Sequence, residues 1–280
     1  VTLLLIGAEL GEDDVDYSAL IIVARELLKR PWQTAGLAAQ TFRDFQVIVS
    51  DQTGDYDVED LGEVQAVMNV LRLHGNPVTV HKNLPRQGMA QQRQFLFEQV
   101  QSPYALFLDD DVLMESYVLE NMVRAMQEEG CGLVGSALIG PSHLDDVRLH
   151  EQQIEFWDGP VTPEDIRPGQ PTWERYRLHN AANMPHVAER LGLDPLRPRK
   201  YKIAWVGGCV LYDVEKLRSV GDFSFWKDLP AEHAGEDVLA QLRVIAHYGG
   251  CGLIPSGVYH MQLPTTILNR AVDAPKFLEI

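Results

Sequence analysis

The amino-acid sequence predicts an α/β fold with a mostly parallel sheet and helices on both faces of that sheet. In the first half of the chain, short apolar runs alternate with longer segments whose apolar residues recur at helical spacing. Such alternation favours a parallel sheet. The run Tyr104–Leu108 has the length and content of a buried strand, and three carboxylates follow it directly. A chain of 280 residues is long enough to bury a substantial core.

The predicted elements alternate regularly as far as residue 137. The predicted strands are Val1–Gly7, Ser18–Ala24, Phe45–Ser50, Val78–His81, Tyr104–Leu108 and Gly132–Ala137. The predicted helices are Glu26–Gln40, Val58–Leu73, Gly88–Val100 and Ser116–Glu129. Because the carboxyl ends of parallel strands meet at one edge, we expect the loops after these strands to converge on one crevice.

The second half of the chain is less regular. Residues 143–199 are rich in Pro, Trp, His and charge, which is typical of an elaborated surface segment rather than of core. Regular patterns resume at Lys202–Tyr212, and the predicted helices are Met184–Leu191, Val214–Ser219 and Glu236–Tyr248. Residues 1–17 contain an acidic stretch and are interpreted as an extension, a linker or part of a preceding domain. Residues 18–280 are interpreted as a single domain.

Charge and cysteine content exclude several classes of function. The formal net charge of −16 argues against a nucleic-acid-binding protein, which needs a basic face. The three cysteines are far apart, form no zinc motif and fit a reducing compartment. No apolar run reaches the length of a transmembrane segment, and the apolar start lacks the features of a signal peptide. We therefore expect a cytoplasmic protein, with a peripheral position at a membrane as an alternative.

The strongest chemical signal is the triplet Asp109, Asp110 and Asp111 at the end of the predicted buried strand. Three adjacent carboxylates repel one another unless a positive charge lies among them. A hard divalent cation such as Mg²⁺ or Mn²⁺, held by carboxylates and by substrate phosphates, would supply that charge. The alternative is an acidic loop or helix cap, because Asp is favoured at such positions.

Other polar residues near predicted strand ends have two interpretations each. Asp51 could accept a hydrogen bond from a nucleotide, or it could form a local Asx-turn. Lys82, Arg86 and Arg93 form a basic cluster upstream of the triplet, suited either to a diphosphate or to local ion pairs.

Two further features lie near the end of the chain. Glu236 and Asp237 begin a predicted helix, where an acid can be a cap or a general base for an acceptor hydroxyl. His260 is a lone histidine, for which a structural role and metal ligation are both open.

Taken in order, four segments resemble family 2 glycosyltransferases of the GT-A fold. The opening strand Ser18–Arg25 is the first. Residues 37–51 (Leu-Ala-Ala-Gln-Thr-Phe-Arg-Asp-Phe-Gln-Val-Ile-Val-Ser-Asp) are similar to the family's Q-T-x-x-x-x-E-V-I-V-V-D-D-G-S segment. Residues 83–111 resemble its N-x-G-x-x-x-A-R-N…F-L-D-x-D block, and residues 207–237 its G-G…L-x-x-V-G-x-F…E-D acceptor segment. The likeness extends from about Ser18 to His260.

The resemblance implies a metal-dependent, inverting transfer of a sugar to an acceptor hydroxyl, in polysaccharide or glycoconjugate synthesis. It implies a UDP- or dTDP-sugar donor, with a GDP-sugar as an alternative, a glycan or lipid-linked acceptor, and Mn²⁺ or Mg²⁺ as the cofactor. Residues 18–140 would form the nucleotide-sugar-binding half and residues 141–280 the acceptor-binding half.

The roles that the resemblance implies fall into four groups. The catalytic residues would be Asp237, as the base, and its neighbour Glu236. The nucleotide-sugar-binding residues would be Arg25, Asp51, Arg86, Arg93, Asp109 and Asp110. The metal ligands would be Asp111, Asp109 and His260. The acceptor-binding residues would be Trp205, Gly207, Gly208 and Trp226, although packing is an alternative role for each tryptophan.

The sequence departs from the family pattern at two places. Gln52 replaces the second Asp of D-D-G-S, so recognition of the base differs there. Gln92-Arg93-Gln94 replaces A-R-N, which keeps the arginine and loses the asparagine. Two alternative functions remain: a sugar-nucleotide pyrophosphorylase, although the glycine-rich loop it needs after the first strand is missing, and a non-catalytic GT-A module that binds nucleotide or glycan.

Overall fold

The computed structural model describes residues 36–109, 111–262 and 270–280, and the backbone of two strands nearer the amino terminus. The described strands are β1 (Leu4–Leu5), β2 (Leu20–Ala24), β3 (Val47–Asp51), β4 (Val78–Lys82), β5 (Tyr104–Leu108), β6 (Val112–Met114), β7 (Leu133–Gly135), β8 (Arg199–Tyr201), β9 (Cys209–Asp213), β10 (Gly250–Ile254) and β11 (Val258–His260).

Most of the described helices contact strands of the large sheet. The described helices are α1 (Gly62–Leu73), α2 (Met89–Phe97), α3 (Val118–Glu129), α4 (Asn183–Leu191), α5 (Val214–Ser219), α6 (Glu236–Tyr248) and α7 (Ala274–Phe277). Short 3₁₀ helices lie at Val58–Asp60, Pro141–His143, Leu149–Glu151, Trp173–His179 and Ser224–Asp228.

The large sheet is mixed, and its strands lie in the order β4-β3-β1-β2-β5-β9-β7-β10-β8, with a further pairing between β2 and β3. Strand β2 runs parallel to β3 and β5, and β3 runs parallel to β4. Strand β9 runs antiparallel between β5 and β7, β10 is parallel to β7, and β8 is antiparallel to β10. Strands β2 to β5 therefore end at the same edge, where functional loops collect.

A second, two-stranded sheet lies just beyond β5. Strand β11 pairs antiparallel with β6, and its register sets His260 opposite Val112. Because Val112 directly follows Asp111, this pairing brings a histidine from the end of the chain next to the aspartate triplet. The backbone N–H of Met261 donates to the carbonyl of Asp111 at 2.7 Å, which extends the pairing by one residue.

The core consists of two apolar clusters on opposite faces of the large sheet. Side chains alternate along a strand, so Ala105 and Phe107 of β5 enter one cluster while Leu106 and Leu108 enter the other. Each of these four residues is at most 4% exposed. Burial of a large apolar side chain stabilises the fold by about 1.5–3 kcal/mol, which is why a continuous apolar run occupies the centre of the sheet.

The predicted elements are largely confirmed. Strand β5 and helices α5 and α6 have the predicted bounds, and the other described predictions are shifted by a few residues or shortened. The prediction missed β6, β8, β10 and β11. The interpretation of residues 143–199 as surface rather than core is wrong in part, since Ile166, Leu178 and Val187 are at most 3% exposed and belong to the core. Most of the predicted helix Glu26–Gln40 and of the extension 1–17 lies outside the described residues.

Candidate active site

The predicted metal ligands Asp111 and His260 lie side by side. Asp111 Oδ2 is 2.9 Å from His260 Nε2. The backbone N–H of Gln262 donates to His260 Nδ1 at 3.0 Å, so in the neutral ring the proton is on Nε2 and faces the carboxylate. The β6–β11 register therefore creates a carboxylate–imidazole pair at the end of the central strand.

This pair fits two neighbouring ligands of a divalent ion. Metal–oxygen bonds of about 2.1 Å in octahedral geometry set adjacent ligand atoms about 3 Å apart, close to the observed 2.9 Å. Within the described residues, no three His, Cys, Asp or Glu side chains converge as a complete metal-binding group. The pair is thus suited to an ion whose remaining ligands come from a substrate or from water. Asp110 lies outside the described residues.

Arg93 joins the triplet to the start of helix α6. Its side chain is 7% exposed, its Nε donates to Glu236 Oε1 at 2.9 Å, and its Nη2 lies 3.6 Å from Asp109 Oδ1. Burial lowers the pKa of Arg93, but the charges of Glu236, Asp237 and Asp109 more than offset this and raise it overall. We call these four residues, Arg93, Asp109, Glu236 and Asp237, the Arg93 cluster.

Asp237 is the unusual acid of the Arg93 cluster. It lies in the first turn of α6 and is partly buried. Desolvation raises the pKa of Asp237 to about 6, and the charge of Glu236 adds to this, while Arg93 and the backbone N–H groups of the helix start oppose it. Arg93 bonds directly to Glu236. A carboxylate with a pKa near 6 is ionised at neutral pH and is still a useful proton acceptor.

Glycine is needed where α6 begins. Gly235 has φ +76°, and a Cβ there would lie 2.4 Å from Asp273 Oδ1. On its other side, Ala234 pairs with the carboxyl-terminal segment through two backbone hydrogen bonds, to Val272 at 2.9 Å and from Ala274 at 2.8 Å. Residues 270–280 therefore pack directly against the turn that carries Glu236 and Asp237.

At the other end of the sheet edge, Asp51 is fully engaged by its own chain. The last residue of β3, it is 1% exposed. Its Oδ1 accepts hydrogen bonds from the backbone N–H and the hydroxyl of Thr53, at 2.8 and 2.7 Å. Its Oδ2 accepts from Lys82 Nζ at 2.8 Å and, more weakly, from the N–H of Val58 at 3.4 Å. The predicted Asx-turn is thus present.

The basic residues predicted beside the triplet are dispersed. Lys82 also binds Asp57 Oδ1 at 2.8 Å and the carbonyl of Tyr56 at 2.7 Å. Burial lowers the pKa of Lys82, but its hydrogen bonds to Asp51 and Asp57 and their charges raise it overall. Arg86 donates twice to the carbonyl of Gln52, at 3.0 and 2.7 Å. Arg25 lies outside the described residues.

On the predicted acceptor side, Trp205 belongs to an aromatic cluster. Its ring stacks on that of Tyr176, with the ring centroids 5.1 Å apart. The ring centroid of Trp173 lies 4.4 Å from that of Trp205. Gly208 has φ +73°, a Cβ there would lie 2.4 Å from Leu138 Cδ1, and its carbonyl accepts from the N–H of Asp109 at 2.8 Å. The Gly207–Gly208 turn is thus attached to the triplet. Trp226 is partly buried against the core.

A comparison with protein families identifies the chain. The sequence model described as "Glycosyl transferase family 2" matches residues 34–184, more than half of the 280 residues. The chain belongs to glycosyl transferase family 2. A comparison with curated proteins found no match.

Solved structures with a similar fold include three glycosyltransferase structures. TarS residues 1–349 from S. aureus, in complex with UDP-GlcNAc, aligns with a TM-score of 0.52 and 15% identity over 88% of this chain and 59% of that one. The mannosyltransferase PcManGT from Pyrobaculum calidifontis, with GDP-Man and Mn²⁺, gives 0.53 and 13% over 88% and 57%. GalNAc-T7, with UDP, GalNAc and Mn²⁺, gives 0.52 and 13% over 91% and 46%.

These likenesses confirm the predicted fold, an α/β fold similar to that of GT-A glycosyltransferases. This family 2 chain spans less than two thirds of the length of each of these proteins. No helix in the described part of the chain is long and apolar enough to cross a membrane.

Two buried residues that fix the site of this family 2 chain were not predicted. Gln241, one turn after Asp237 on α6, clamps the backbone of Val206: the N–H of Val206 donates to Oε1 at 2.7 Å and Nε2 donates to its carbonyl at 2.8 Å. His233 Nε2 accepts from the N–H of Ala90 at 3.1 Å, which attaches the loop before α6 to α2. The one sequence signal for a buried role of Gln241 is its position among the regularly spaced apolar residues of the predicted helix. We find no sequence signal for the role of His233.

Proposed function

We propose that this chain is an inverting, metal-dependent glycosyltransferase that moves a sugar from a nucleoside-diphosphate sugar to an acceptor hydroxyl. The observation that carries the proposal is the Arg93 cluster. A single buried arginine connects the carboxylate at the end of β5 to the start of α6, where Asp237 has a pKa of about 6. Arg93 thereby holds Asp109, which we assign to the donor, close to the helix start that carries Asp237, which we assign to the acceptor. A transfer between two substrates requires such proximity.

Asp111 and His260 would hold the divalent ion, Mn²⁺ or Mg²⁺, and Asp109 would lie near the ribose or the ion. The distance of 2.9 Å between Asp111 Oδ2 and His260 Nε2 supports the assignment of these two residues to the ion. The Mn²⁺ ions in the structures of PcManGT and GalNAc-T7 support it as well. A bound ion would act as a Lewis acid toward the donor diphosphate. We assign Asp110 to the donor site beside Asp109.

Asp237 is the proposed catalytic base. Its carboxylate takes the proton from the acceptor hydroxyl while that oxygen bonds to the anomeric carbon. The bond between the anomeric carbon and the phosphate oxygen breaks on the opposite face, so the configuration inverts and a nucleoside diphosphate leaves. Glu236 is 4% exposed and paired with Arg93. It therefore acts by orienting Arg93 and by raising the pKa of Asp237.

Arg25, Asp51, Arg86 and Arg93 are the other residues that we assign to the nucleotide-sugar side. Asp51 and Arg86 both form hydrogen bonds within the loop that follows β3, at the edge of the sheet where we place the donor. Arg93 is bound by two acids, so we assign it to the nucleotide-sugar side as the residue that holds Asp109 in position. A UDP- or dTDP-sugar is the favoured donor and a GDP-sugar the alternative. The ligands of TarS and PcManGT, UDP-GlcNAc and GDP-Man, support this range.

We assign acceptor binding, of a glycan or a lipid-linked sugar, to Trp205, Gly207, Gly208 and Trp226 in the half formed by residues 141–280. The aromatic cluster around Trp205 offers an apolar surface next to the Gly207–Gly208 turn. Strand β9, from this half, lies between β5 and β7 of the other half. This shared sheet supports a single domain over residues 18–280.

A thermal-shift experiment tests the proposal directly. The chain is heated with UDP, dTDP, GDP or ADP, each with and without Mn²⁺. We expect at least one nucleoside diphosphate to raise the Tm in a concentration-dependent and Mn²⁺-dependent manner, because a ligand that binds only the folded state stabilises it by mass action. If no uridine, thymidine or guanosine diphosphate changes the Tm in the presence of Mn²⁺, the proposed function is wrong.

A further inference from the structure

The loop that precedes helix α6 has a histidine turned into the protein. Pro230, Ala231 and Glu232 are exposed, whereas His233 is 2% exposed. The imidazole lies at the amino-terminal end of α2, where its Nε2 accepts from the N–H of Ala90 at 3.1 Å. His233 therefore attaches the loop that leads to Asp237 to a helix of the donor half of the chain.

Both ring nitrogens of His233 are used. Nδ1 lies 2.7 Å from the carbonyl of Pro230, which can only accept, so the proton of the neutral ring is on Nδ1. Nε2 keeps a lone pair for the Ala90 N–H. The first N–H groups of a helix have no partner inside the helix, and Gly88 at the cap position of α2 offers no side chain to them. The imidazole thus supplies an acceptor that the start of α2 needs.

The loop and the start of α2 approach each other closely. Gly88 has φ +100°, and a Cβ there would lie 2.6 Å from the carbonyl oxygen of Ala231 and 2.8 Å from His233 Cε1. A larger residue than glycine would therefore push the loop away from α2. The close approach is what lets the ring reach the Ala90 N–H.

A second bond joins the same two elements one turn further along. Ala90 and Arg93 are three residues apart and lie on the same side of α2. Their partners, His233 and Glu236, have the same spacing. Arg93 Nε donates to Glu236 Oε1 at 2.9 Å. The start of α6 is thus held against α2 at two points, and Asp237 directly follows the second point.

A single point of attachment would let this turn pivot. Gly235 separates His233 from Glu236, and glycine allows a wide range of backbone angles. The hydrogen bonds of Ala234 with residues 272 and 274 link the turn to the same half of the chain. The bond from His233 links it to α2, in the half where we place the donor.

The proposed reaction depends on how the two halves are placed. A donor bound at Asp109 and Asp111 has its anomeric carbon on one side, and the base Asp237 lies on the other. A displacement of a reacting group by about 1 Å can lower a rate about a hundredfold. A residue that fixes α6 against α2 therefore affects the rate without touching a substrate.

We propose that His233 is a positioning residue for sugar transfer: by accepting the Ala90 N–H, it sets the first turn of α6, and with it the carboxylate of Asp237, against the donor side. The inference rests on the proposed function, since it takes Asp237 as the base. The imidazole itself neither binds a substrate nor exchanges a proton with one.

The test compares three variants with wild type. His233→Leu removes both ring nitrogens, whereas His233→Gln restores an acceptor, because the carbonyl oxygen of glutamine reaches about as far as Nε2. The control is Asn76→Leu, just before β4 at the opposite edge of the sheet. Asn76 is 0% exposed, and its Nδ2 donates to the carbonyls of Arg43 and Phe45 at 2.7 and 2.8 Å. Like His233, it is a buried polar side chain bonded to backbone, but it is remote from the site.

The first measurement needs no substrate. Carboxyl-carbon NMR of protein with isotope-labelled aspartate follows the titration of Asp237, whose signal is identified with Asp237→Asn. Desolvation raises the pKa of Asp237 to about 6. Because the turn loosens in His233→Leu and water reaches the carboxylate, we expect its pKa to fall to about 5 or lower. His233→Gln and Asn76→Leu should keep the wild-type value.

The second measurement is the rate of sugar transfer to water, followed as nucleoside diphosphate released from UDP-GlcNAc or GDP-Man with Mn²⁺. We expect His233→Leu to lower this rate about ten- to a hundredfold and to leave the Kd of the nucleoside diphosphate unchanged. His233→Gln and Asn76→Leu should retain most of the wild-type rate. His233→Leu and Asn76→Leu should both lower the Tm by a few degrees, because each leaves backbone groups unpaired.

An unchanged pKa of Asp237 in His233→Leu overturns the assignment. An equal fall in Asn76→Leu also overturns it, because loss of stability alone would then move Asp237. So does a failure of His233→Gln to restore the wild-type pKa, because the bond to Ala90 would then not be what holds the turn.

The same experiments separate this inference from the proposed function. If wild type binds no nucleoside diphosphate with Mn²⁺, the proposed function fails, and the role of His233 in transfer fails with it. If wild type transfers sugar at a rate that His233→Leu does not lower, only the assignment of His233 fails. Where wild type binds a nucleotide but transfers no sugar to water, the titration of Asp237 decides.

Discussion

Asp51 ends strand β3, and Asp237 lies in the first turn of helix α6. The two acids differ in which groups bond directly to their carboxylate oxygens. Asp51 has a cation, a hydroxyl and backbone N–H groups directly on its oxygens. Asp237 shares one arginine with Asp109 and Glu236, and that arginine bonds to Glu236. Burial with direct partners makes a carboxylate a structural element, whereas burial with a shared cation leaves it with a raised pKa and available for chemistry.

The largest expected effect concerns Asp237. Asp237→Asn keeps the shape of the side chain and removes its ability to accept a proton. We expect the rate of sugar transfer to fall on the order of 10²–10⁴-fold, with nucleoside-diphosphate binding unchanged. Single-turnover transfer and calorimetric binding of the donor nucleotide measure the two quantities.

Asp158→Asn, an exposed acid outside the Arg93 cluster, is the control and should retain wild-type transfer. A wild-type rate of transfer by Asp237→Asn would mean that another group takes the proton. The difference between Asp237 and Asp51 would then not identify the catalytic base.

Arg93 is expected to have the next largest effect, on stability. Arg93→Met leaves Glu236 and Asp109 without their buried partner, and such a loss typically costs about 3–5 kcal/mol of unfolding free energy. Arg167→Met removes an ion pair whose side chains are more than half exposed, and it should change stability by less than about 0.5 kcal/mol. Urea denaturation of both variants checks this, and equal effects would contradict the central role of Arg93.

Lys82 tests the Asp51 side of the comparison. Lys82→Met removes the cation that bonds Asp51, Asp57 and the carbonyl of Tyr56. We expect a loss of about 1–3 kcal/mol of unfolding free energy, because the buried Asp51 loses a partner, and the partial exposure of Lys82 favours the lower end. Lys227→Met, at an exposed position, is the control. Urea denaturation measures the unfolding free energy of both variants. Equal values for Lys82→Met and Lys227→Met would show that the Asx-turn is sufficient to stabilise the buried carboxylate of Asp51.

The smallest expected effect is the pH dependence of stability that Asp237 produces. Its pKa is about 6 in the folded chain and 3.8 as the reference, so the free energy of unfolding falls as the pH rises from about 4 to 6 and stays at the lower value above pH 6. At about 1.4 kcal/mol per pKa unit the shift sets an upper limit of about 3 kcal/mol. Because Asp237 is partly exposed, we expect Asp237→Asn to be more stable than wild type at pH 8 by about 1–2 kcal/mol. The difference should shrink as the pH falls through 6 and vanish below about 4. Denaturation at pH 4, 6 and 8 checks this, and a variant less stable than wild type at pH 8 would contradict the raised pKa.

The parts of the fold that local sequence determines were predicted with their bounds. Tyr104–Leu108 is continuous and apolar, so burial on both faces is its only favourable state, and Glu236–Tyr248 follows a glycine with the apolar period of a helix. Gly250–Ile254 and Arg199–Tyr201 were missed, because glycine and charge disfavour a strand locally and only their partners in the sheet stabilise them.

The residue types of the site were predicted, but their partners were not. Arg93 and Glu236 are 143 residues apart in sequence, so their ion pair depends on how α2 and α6 pack. The pairing of Asp111 with His260 depends on a register between two three-residue strands, which no local pattern specifies. For Asp51, the Asx-turn followed from Asp-x-Thr alone, because that interaction is local.

The contact between Gly235 and residues 270–280 has a practical consequence for fragments and fusions of this protein. A fragment cut before Val272 would keep every residue assigned to the site, yet it would lose the two backbone hydrogen bonds to Ala234 and the packing of Asp273 on Gly235. The first turn of α6 would then fray, and amide exchange would quicken at Leu239, whose N–H donates to the carbonyl of Gly235 at 2.9 Å. Residues 270–280 should thus be treated as part of the catalytic apparatus when expression boundaries are chosen.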